Sequence, residues 1–325
     1  MRFIHLALPL ALCALAVTAR AETPLKVIMF LSTSGAPVFV AQDKGFFAKH
    51  GLSVEVTITP GSDFQRKSLA EGKFDIAPSG ADNAVFMVDS GAGDAVIVAG
   101  GDNSANELIA GPTIHRYADI RGKAVVVDAP NTAFAFQLYK MLELKGVKRG
   151  EYTVLPKGGT PQRLAAMKED PNNAAAMLGP PFSIAAQKEG FHSLGSVMQV
   201  LGPYQGNSVV VLRSWAKAHG DVLVSYLQAI IEATRWAFNP ANRAELTSIL
   251  SQRLKVDPET LNASIEAAVG KHHSLDKDAR LDLAGFKEVL RLRAEFAGPS
   301  RAKPAVPGKY IDLSYYKEAL AGLSR

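Results

Sequence analysis

Leu25-Lys26-Val27-Ile28-Met29-Phe30-Leu31-Ser32-Thr33-Ser34-Gly35-Ala36-Pro37 decides how the chain is read. Leu25 to Leu31 is a short, nearly continuous apolar run, the pattern of a strand covered on both faces. Three hydroxyl residues then lead to Pro37, which suits the first turn of a helix. The helix is predicted to run through Val38, Phe39, Ala41 and Phe46-Phe47 to His50, where Gly51 ends it. The unit is therefore strand, polar loop, helix.

The same unit recurs downstream. Strands are predicted over Val54 to Thr59, Phe74 to Ala77 and Ala95 to Ala99, with helices over Phe64 to Glu71 and Ala81 to Asp89. Pro78-Ser79-Gly80 reads as the loop after the third strand. A second series follows. Leu108 to Ala110, Ala124 to Val127, Tyr152 to Leu155, Ala174 to Leu178 and Val209 to Leu212 read as strands. Thr132 to Lys145, Pro161 to Met167 and Pro181 to Lys188 read as helices. This order predicts an α/β protein whose sheets are mostly parallel, with helices on both faces. After Leu212 the pattern turns helical, over Asp221 to Phe238, Asn242 to Leu254, Pro258 to Val269, Asp282 to Phe296 and Asp312 to Leu323. Gly298 to Gly308, rich in Pro and Lys, reads as an extended connection. Two α/β series and a helical tail imply two lobes, with strand-end loops lining a cleft between them.

Upstream, Met1-Arg2 and the apolar run Phe3 to Val17 precede Ala19-Arg20-Ala21, the form of an export signal cleaved after Ala21. The run falls short of the roughly 20 apolar residues of a spanning helix. Without Arg2 and Arg20 the chain holds 34 basic and 31 acidic residues, a net charge of +3. So mild an excess calls for no nucleic acid or anionic membrane. Cys13, the only cysteine, leaves with the signal, so neither disulfide nor thiol chemistry is expected.

The parts of an enzyme are missing from the pattern. There is no G-x-S-x-G elbow, no G-x-G-x-x-G after a strand and no phosphate-binding loop ending in Gly-Lys-Ser/Thr. His272 and His273 are adjacent, whereas paired helical metal ligands sit four apart. No catalytic residue, metal or cofactor is expected.

Lys44-Gly45-Phe46-Phe47-Ala48-Lys49-His50-Gly51-Leu52, Ala70-Glu71-Gly72-Lys73-Phe74-Asp75, Tyr117-Ala118-Asp119-Ile120-Arg121-Gly122-Lys123 and Pro240-Ala241-Asn242 stand in an order and spacing that resembles the periplasmic solute-binding proteins for nitrate, sulfonates and taurine. The resemblance implies a two-lobed fold and capture of a small polar or anionic solute by hinge closure, for delivery to an ABC permease and its ATPase. The carrier would be a monomer with no nucleic-acid partner. It implies a signal over 1–21, one lobe over 22–101 and 208–325, and another over 102–207. The crossings would lie near 102–104 and 204–207. An alternative solute is a pyrimidine or an aromatic carboxylate, and some relatives of this fold are pyrimidine-precursor synthases.

On that basis the candidate ligand residues are Ser32, Thr33 and Ser34 before the first helix, Ser79 and Gly80 after the third strand, and Asn131 and Thr132 in the second lobe. Gly179, Asn103, Tyr204 and Asn207 complete the set. Each has a plainer role open to it: helix capping for Ser32 to Ser34 and Thr132, an ordinary turn for Ser79-Gly80, and hinge hydrogen bonding for Asn103, Tyr204 and Asn207. Helix ends can hold a small oxyanion without a full positive charge. Asp102 and Tyr204 suit a neutral or cationic heterocycle equally. If the Thr132 hydroxyl meets ligand, Thr132→Ala should weaken binding by roughly 0.5–1.5 kcal/mol and leave folding almost unchanged.

Overall fold

The computed structural model describes residues 21–297 and 305–324. The expected signal lies, but for Ala21, outside the described residues, as does most of the Gly298 to Gly308 connection.

β1 (Thr23–Met29) buries Leu25, Val27, Ile28 and Met29 and pairs in parallel with β2 (Leu52–Ile58). The helix between them is broken in two, α1 (Ala36–Asp43) and α2 (Phe46–Lys49), where a single helix to His50 was expected. Gly45 is the cause: its φ of 71° is the left-handed geometry that stops a helix. α3 (Ser62–Ala70) follows, and then β3 (Ala77–Gly80). The third strand is thus three residues later than Phe74 to Ala77. Ile76 makes only a single bridge to Val27, and the ladder runs through the supposed Pro78-Ser79-Gly80 loop.

α4 (Ala81–Asp89) and β4 (Ala95–Ala99) complete this stretch. The chain then builds a five-stranded sheet from β5 (Glu107–Ala110), β6 (Ala124–Val127), β7 (Thr153–Pro156), β8 (Asn173–Leu178) and β9 (His192–Ser196), in the order β7-β6-β8-β5-β9. α5 (Ala133–Leu144), α6 (Thr160–Glu169), α7 (Phe182–Lys188) and α8 (Val197–Val200) connect or flank it. The chain returns through β10 (Asn207–Leu212), which lies between β3 and β4. α9 (Arg213–Ala218), α10 (Gly220–Phe238), α11 (Arg243–Leu254), α12 (Pro258–Val269), α13 (Leu283–Phe296) and α14 (Ser314–Leu323) follow. β9, α8 and α9 have no counterpart in the sequence reading. His192-Ser193-Leu194-Gly195-Ser196 carries no apolar run to announce a strand.

The sheets are mixed, not mostly parallel. β1-β2, β6-β7 and β6-β8 are parallel, while β5 and β10 are antiparallel to both of their neighbours. β5 and β10 are the strands entered directly from the crossing segments 101–106 and 203–206. They start at the edge where the parallel strands finish, so they must run the other way.

Of three apolar clusters among the described residues, the smallest packs Leu164 and Met167 of α6 on Ile109, Val126 and Leu178 of the five-stranded sheet, and two larger ones hold the fold. One gathers β1 and β2 against α1, α10, α11 and α12. The other spans both units, from Ile28, Met87, Ile97 and Val210 to Leu108, Val125, Phe136 and Leu142, with Phe286 and Leu290 of α13 between. α13 is the brace. Phe296 stacks on Phe136 of α5 with ring centres 6.0 Å apart, and Glu295 pairs with Lys140 at 2.6 Å.

Candidate functional site

Strands β1, β3, β6, β7 and β8 all end toward one cavity of about 740 Å³, a volume that includes its open mouth. The β1-β2, β3-β10-β4 and five-stranded sheets all contribute to its wall, as expected of strand ends in α/β units. Phe30, Ser32 and Ser34 come from the loop after β1, and Gly80, Asp82 and Asn83 from the end of β3 and the start of α4. Thr132, Phe134 and Gln137 come from the start of α5, Thr160 from α6, and Gly179 and Pro180 from the loop after β8. The crossings add Asp102, Ser104, Asn106, Tyr204, Gly206 and Asn207.

The two crossings are clasped by Asp102, which is 5% exposed. Its Oδ1 accepts from the backbone N–H of Ser104 at 2.7 Å and of Asn207 at 3.2 Å. Its Oδ2 accepts from the Asn207 side-chain amide at 2.7 Å. Gly206 is required here, because a Cβ would fall 1.9 Å from Asp102 Oδ1. Asn207 thus spends its amide on the clasp while still bordering the cavity. Asn106 and Gln137 form a second knot: each donates to Ser104 Oγ, at 2.9 and 3.1 Å, and Asn106 also donates to Gln137 Oε1.

Two polar atoms in this wall have no hydrogen-bond partner of good geometry among the described residues: Asp82 Oδ2 and the Tyr204 hydroxyl, which lies beside Gln137. Tyr204 and Asp82 are each 1% exposed. Asp82 Oδ1 accepts from Arg293 Nη1 at 2.7 Å, yet burial outweighs this cation and pushes the carboxyl pKa up. Burial also holds the Tyr204 hydroxyl well above its ordinary value. A buried donor or acceptor left unpaired costs about 1–3 kcal/mol, so each awaits a partner.

Among the described residues, no Lys or Arg lines the cavity. Arg163 stands just behind it, wholly buried, donating to the carbonyls of Gly158 and Met177 and, at 3.0 Å, to Thr160 Oγ1. Its guanidinium lies 4.5 Å from the centre of the Phe134 ring, and burial lowers its pKa to about 10. Thr160, accepting from Arg163, keeps its own proton free to donate into the cavity. Phe134 meets Phe30 edge-on at 6.5 Å, so an aromatic pair faces the polar residues.

Of the candidates named from sequence, Ser32, Ser34, Gly80, Thr132, Gly179, Tyr204 and Asn207 border the cavity. Thr33, Ser79, Asn103 and Asn131 do not. Thr33 is turned inward, 2% exposed, and touches the other unit through its backbone N–H to Pro180 O. The Ser79 side chain alternates to the far side of β3, where it donates to Gln65 Oε1 at 2.6 Å and accepts from Asn83. Asn103 faces the opposite side of the crossing and donates its N–H to Ser274 O. Asn131 is directed at Arg66. Thr132 borders the cavity, but its hydroxyl is engaged internally. It lies 2.5 Å from Asp128 Oδ1 and accepts from the N–H of Ala135 as the cap of α5. Thr132→Ala should therefore cost about 1–2 kcal/mol of folding stability, contrary to the near-neutral effect expected from sequence. Urea unfolding of the variant measures this, and a change below about 0.3 kcal/mol would show the cap to be idle.

Asp82, Asn83, Ser62, Ser104, Asn106, Gln137 and Thr160 were not among the sequence candidates. Asp82 and Asn83 stand at the start of a helix, where such residues commonly serve as caps. Gln137, in the second turn of α5, and Asn106, in a crossing, carry no local signal, because only the folded chain brings them to the cavity.

The model of the NMT1-like family matches residues 19–251. The chain belongs to the NMT1-like family. Among curated proteins, the putative binding protein YtlA of Bacillus subtilis (strain 168) is 25% identical over 300 residues, covering 83% of each chain. Among solved structures, the periplasmic nitrate-binding protein NrtA from Synechocystis PCC 6803 superposes with a TM-score of 0.79 at 17% identity, over 93% of this chain and 89% of that one. The alkanesulfonate-binding protein SsuA from Xanthomonas axonopodis pv. citri, bound to MOPS, gives 0.72 at 16% identity, over 90% and 99%. The desulfurization enzyme DSZB shares the fold as well, at 0.62 and 12% identity, over 92% and 99%. At such identities the likeness concerns the fold. This member of the NMT1-like family has the two-lobed α/β fold of periplasmic binding proteins, with a helical C-terminal segment.

Proposed function

We propose that the chain is the solute-capturing component of an ABC importer, exported to the periplasm, and that it closes two lobes around one small polar molecule without converting it. The lobes would be 22–101 with 208–325, and 102–207, joined at the Asp102 clasp. The observation that carries this reading is the cavity walled by both units, with the Tyr204 hydroxyl and Asp82 Oδ2 buried and unpaired in its wall. An unpaired carboxylate oxygen calls for a donor, so the solute should bring an N–H or O–H group. Bare nitrate offers none. A taurine-like sulfonate has an amine for Asp82 and an oxyanion for Tyr204 and Thr160. The Phe30–Phe134 pair favours a second solute class, a flat heterocycle with ring or exocyclic N–H groups.

Contacts between the units support closure as the means of capture. Gly159 N donates to Pro60 O at 2.8 Å, and Ser62 Oγ donates to Asp128 Oδ2 at 2.7 Å. Lys188 of α7 reaches Asp257 and Glu259 at the start of α12, at 2.8 and 2.6 Å. A ligand touching both walls binds this form better than an open one and shifts the population toward it.

A thermal-shift screen of the chain from Glu22 onward against sulfonates, nitrate, aromatic carboxylates and pyrimidines tests the proposal. A cognate solute at 100 times its Kd should stabilise by about 2.7 kcal/mol. Solute recovered from the denatured complex should be chemically unchanged. Product accumulating beyond one equivalent would turn the reading toward an enzyme, and no stabilisation by any donor-bearing solute would remove its basis.

A further inference from the structure

A second, partly open cavity of about 460 Å³, a volume that includes its mouth, lies in the first unit, between β10, α1 and α10. Its walls are mostly apolar, with Val38, Val209, Ile230 and Leu275 prominent, and nothing in the capture mechanism uses it. Ser34 and Asn207 belong to its lining and to that of the interlobe cleft alike, so the two spaces share a wall. Two hydroxyls in this lining, those of Tyr226 and Ser208, are buried and have no hydrogen-bond partner among the described residues. The Thr234 hydroxyl beside them is satisfied, donating to Ile230 O at 2.7 Å. Gly101 packs close against β10, since a Cβ there would lie 2.9 Å from Asn207 O.

We infer that this chamber receives a short apolar arm of the solute, ending in an oxygen that pairs with Tyr226 or Ser208, while the polar head stays in the cleft. The inference rests on the capture reading above and narrows its solute class to molecules with a polar head and a hydrocarbon arm of about three carbons. The physical case has two parts. Apolar walls reward methylene burial, and the two unpaired hydroxyls give an ordered water only the fewest partners it can use, so an arm ending in oxygen competes well with it. Two buried hydroxyls in that lining, those of Tyr226 and Ser208, have no hydrogen-bond partner among the described residues, and an oxygen at the end of an apolar arm would match one of them.

The first test uses xenon, which settles in dry apolar cavities whatever the head group. Crystals of the chain from Glu22 onward, pressurised with xenon, should show the gas between β10 and α10, and Ile230→Phe should abolish it. Ser208→Val, which fills the chamber from the strand side, serves as the second variant if Ile230→Phe does not fold. No xenon in the wild type overturns the inference. The second test pairs donor-bearing heads with and without an arm: taurine with its N-(3-methoxypropyl) derivative, 4-aminobenzoate with its 2-(3-methoxypropyl) derivative, and 4-aminopyrimidine with its 2-(3-methoxypropyl) derivative. For the head that binds, the arm should tighten Kd at least tenfold in the wild type and by less than twofold in the filled variant. A head that binds with no gain from its arm overturns the chamber inference and leaves the capture reading standing. If no head or armed partner binds, both fall together.

Discussion

Asp82→Ala should destabilise the protein by about 3–5 kcal/mol, the largest single loss we expect. The Asp82–Arg293 pair is 2.7 Å long, with side chains 1% and 9% exposed. Truncating the acid leaves Arg293 a buried cation between the rings of Phe86 and Phe136, 5.2 and 5.7 Å from their centres, and such uncompensated charges cost several kcal/mol. The double variant Asp82→Leu with Arg293→Met should recover most of the loss, because the burden lies in the lone charge and not in a net gain from the pair. The acid also has a pH signature. Its folded-state pKa is raised, so the folded chain holds this proton more tightly than the unfolded one. The sign follows from linkage: the stability due to this group is greatest below the ordinary carboxylate range and declines as pH rises from about 4 through the raised value. Asp82→Asn should lack that decline. Urea unfolding between pH 4 and 7 measures both effects. A loss below about 1 kcal/mol in Asp82→Ala would mean that Arg293 finds another partner.

Gly158→Val should lower solute affinity on the order of 100-fold while the protein stays folded. Gly158 has a φ of 87°, and a Cβ there would stand 2.7 Å from Pro60 O, across the cleft. A β-branched residue in that region is a steric outlier, so the 158–159 loop must pull away from the 60–61 loop. Separation sacrifices the Gly159–Pro60 and Ser62–Asp128 hydrogen bonds, about 1 kcal/mol for the neutral one and 1.5–3 for the one to a carboxylate. Together they correspond to roughly a hundredfold in Kd. Gly159→Ala should be milder, as its Cβ would meet mainly the flexible Gln162 side chain at 2.8 Å. Titration calorimetry with small-angle scattering decides the matter. Wild-type affinity together with wild-type compaction in Gly158→Val would show that these loops play no part in capture.

Much of the architecture can be read from local pattern, because a buried strand such as Ala95-Val96-Ile97-Val98-Ala99 and a capped helix such as Pro258 to Val269 are stated within a few residues. The direction of β5 and β10 is not local. Both are short apolar runs like their parallel neighbours, and only the crossing they emerge from sets their sense. The site divides the same way. Loops after strands point to the cleft, which is why Ser32, Gly80, Thr132 and Gly179 border it. Which side of a turn a side chain takes is fixed by packing: Ser79 is one residue from Gly80 and faces Gln65 instead. Tyr204, Asp82 and Gln137 meet only because β10, α4 and α5 converge, and no spacing in the sequence records that convergence.

The place of β10 has a consequence for how the molecule comes into being. The middle strand of the β3-β10-β4 sheet begins at Asn207, more than a hundred residues after β4 ends. Residues 107–196, by contrast, supply every strand of their sheet in one continuous stretch. During synthesis the central segment can thus complete its hydrogen bonding first, while β3 and β4 wait with a gap between them. Pairings so distant in sequence close slowly, since the intervening loop must be ordered before they form. The N-terminal segment accordingly stays unfinished until the C-terminal part arrives, so the last-made helices and β10 decide when the whole molecule becomes compact.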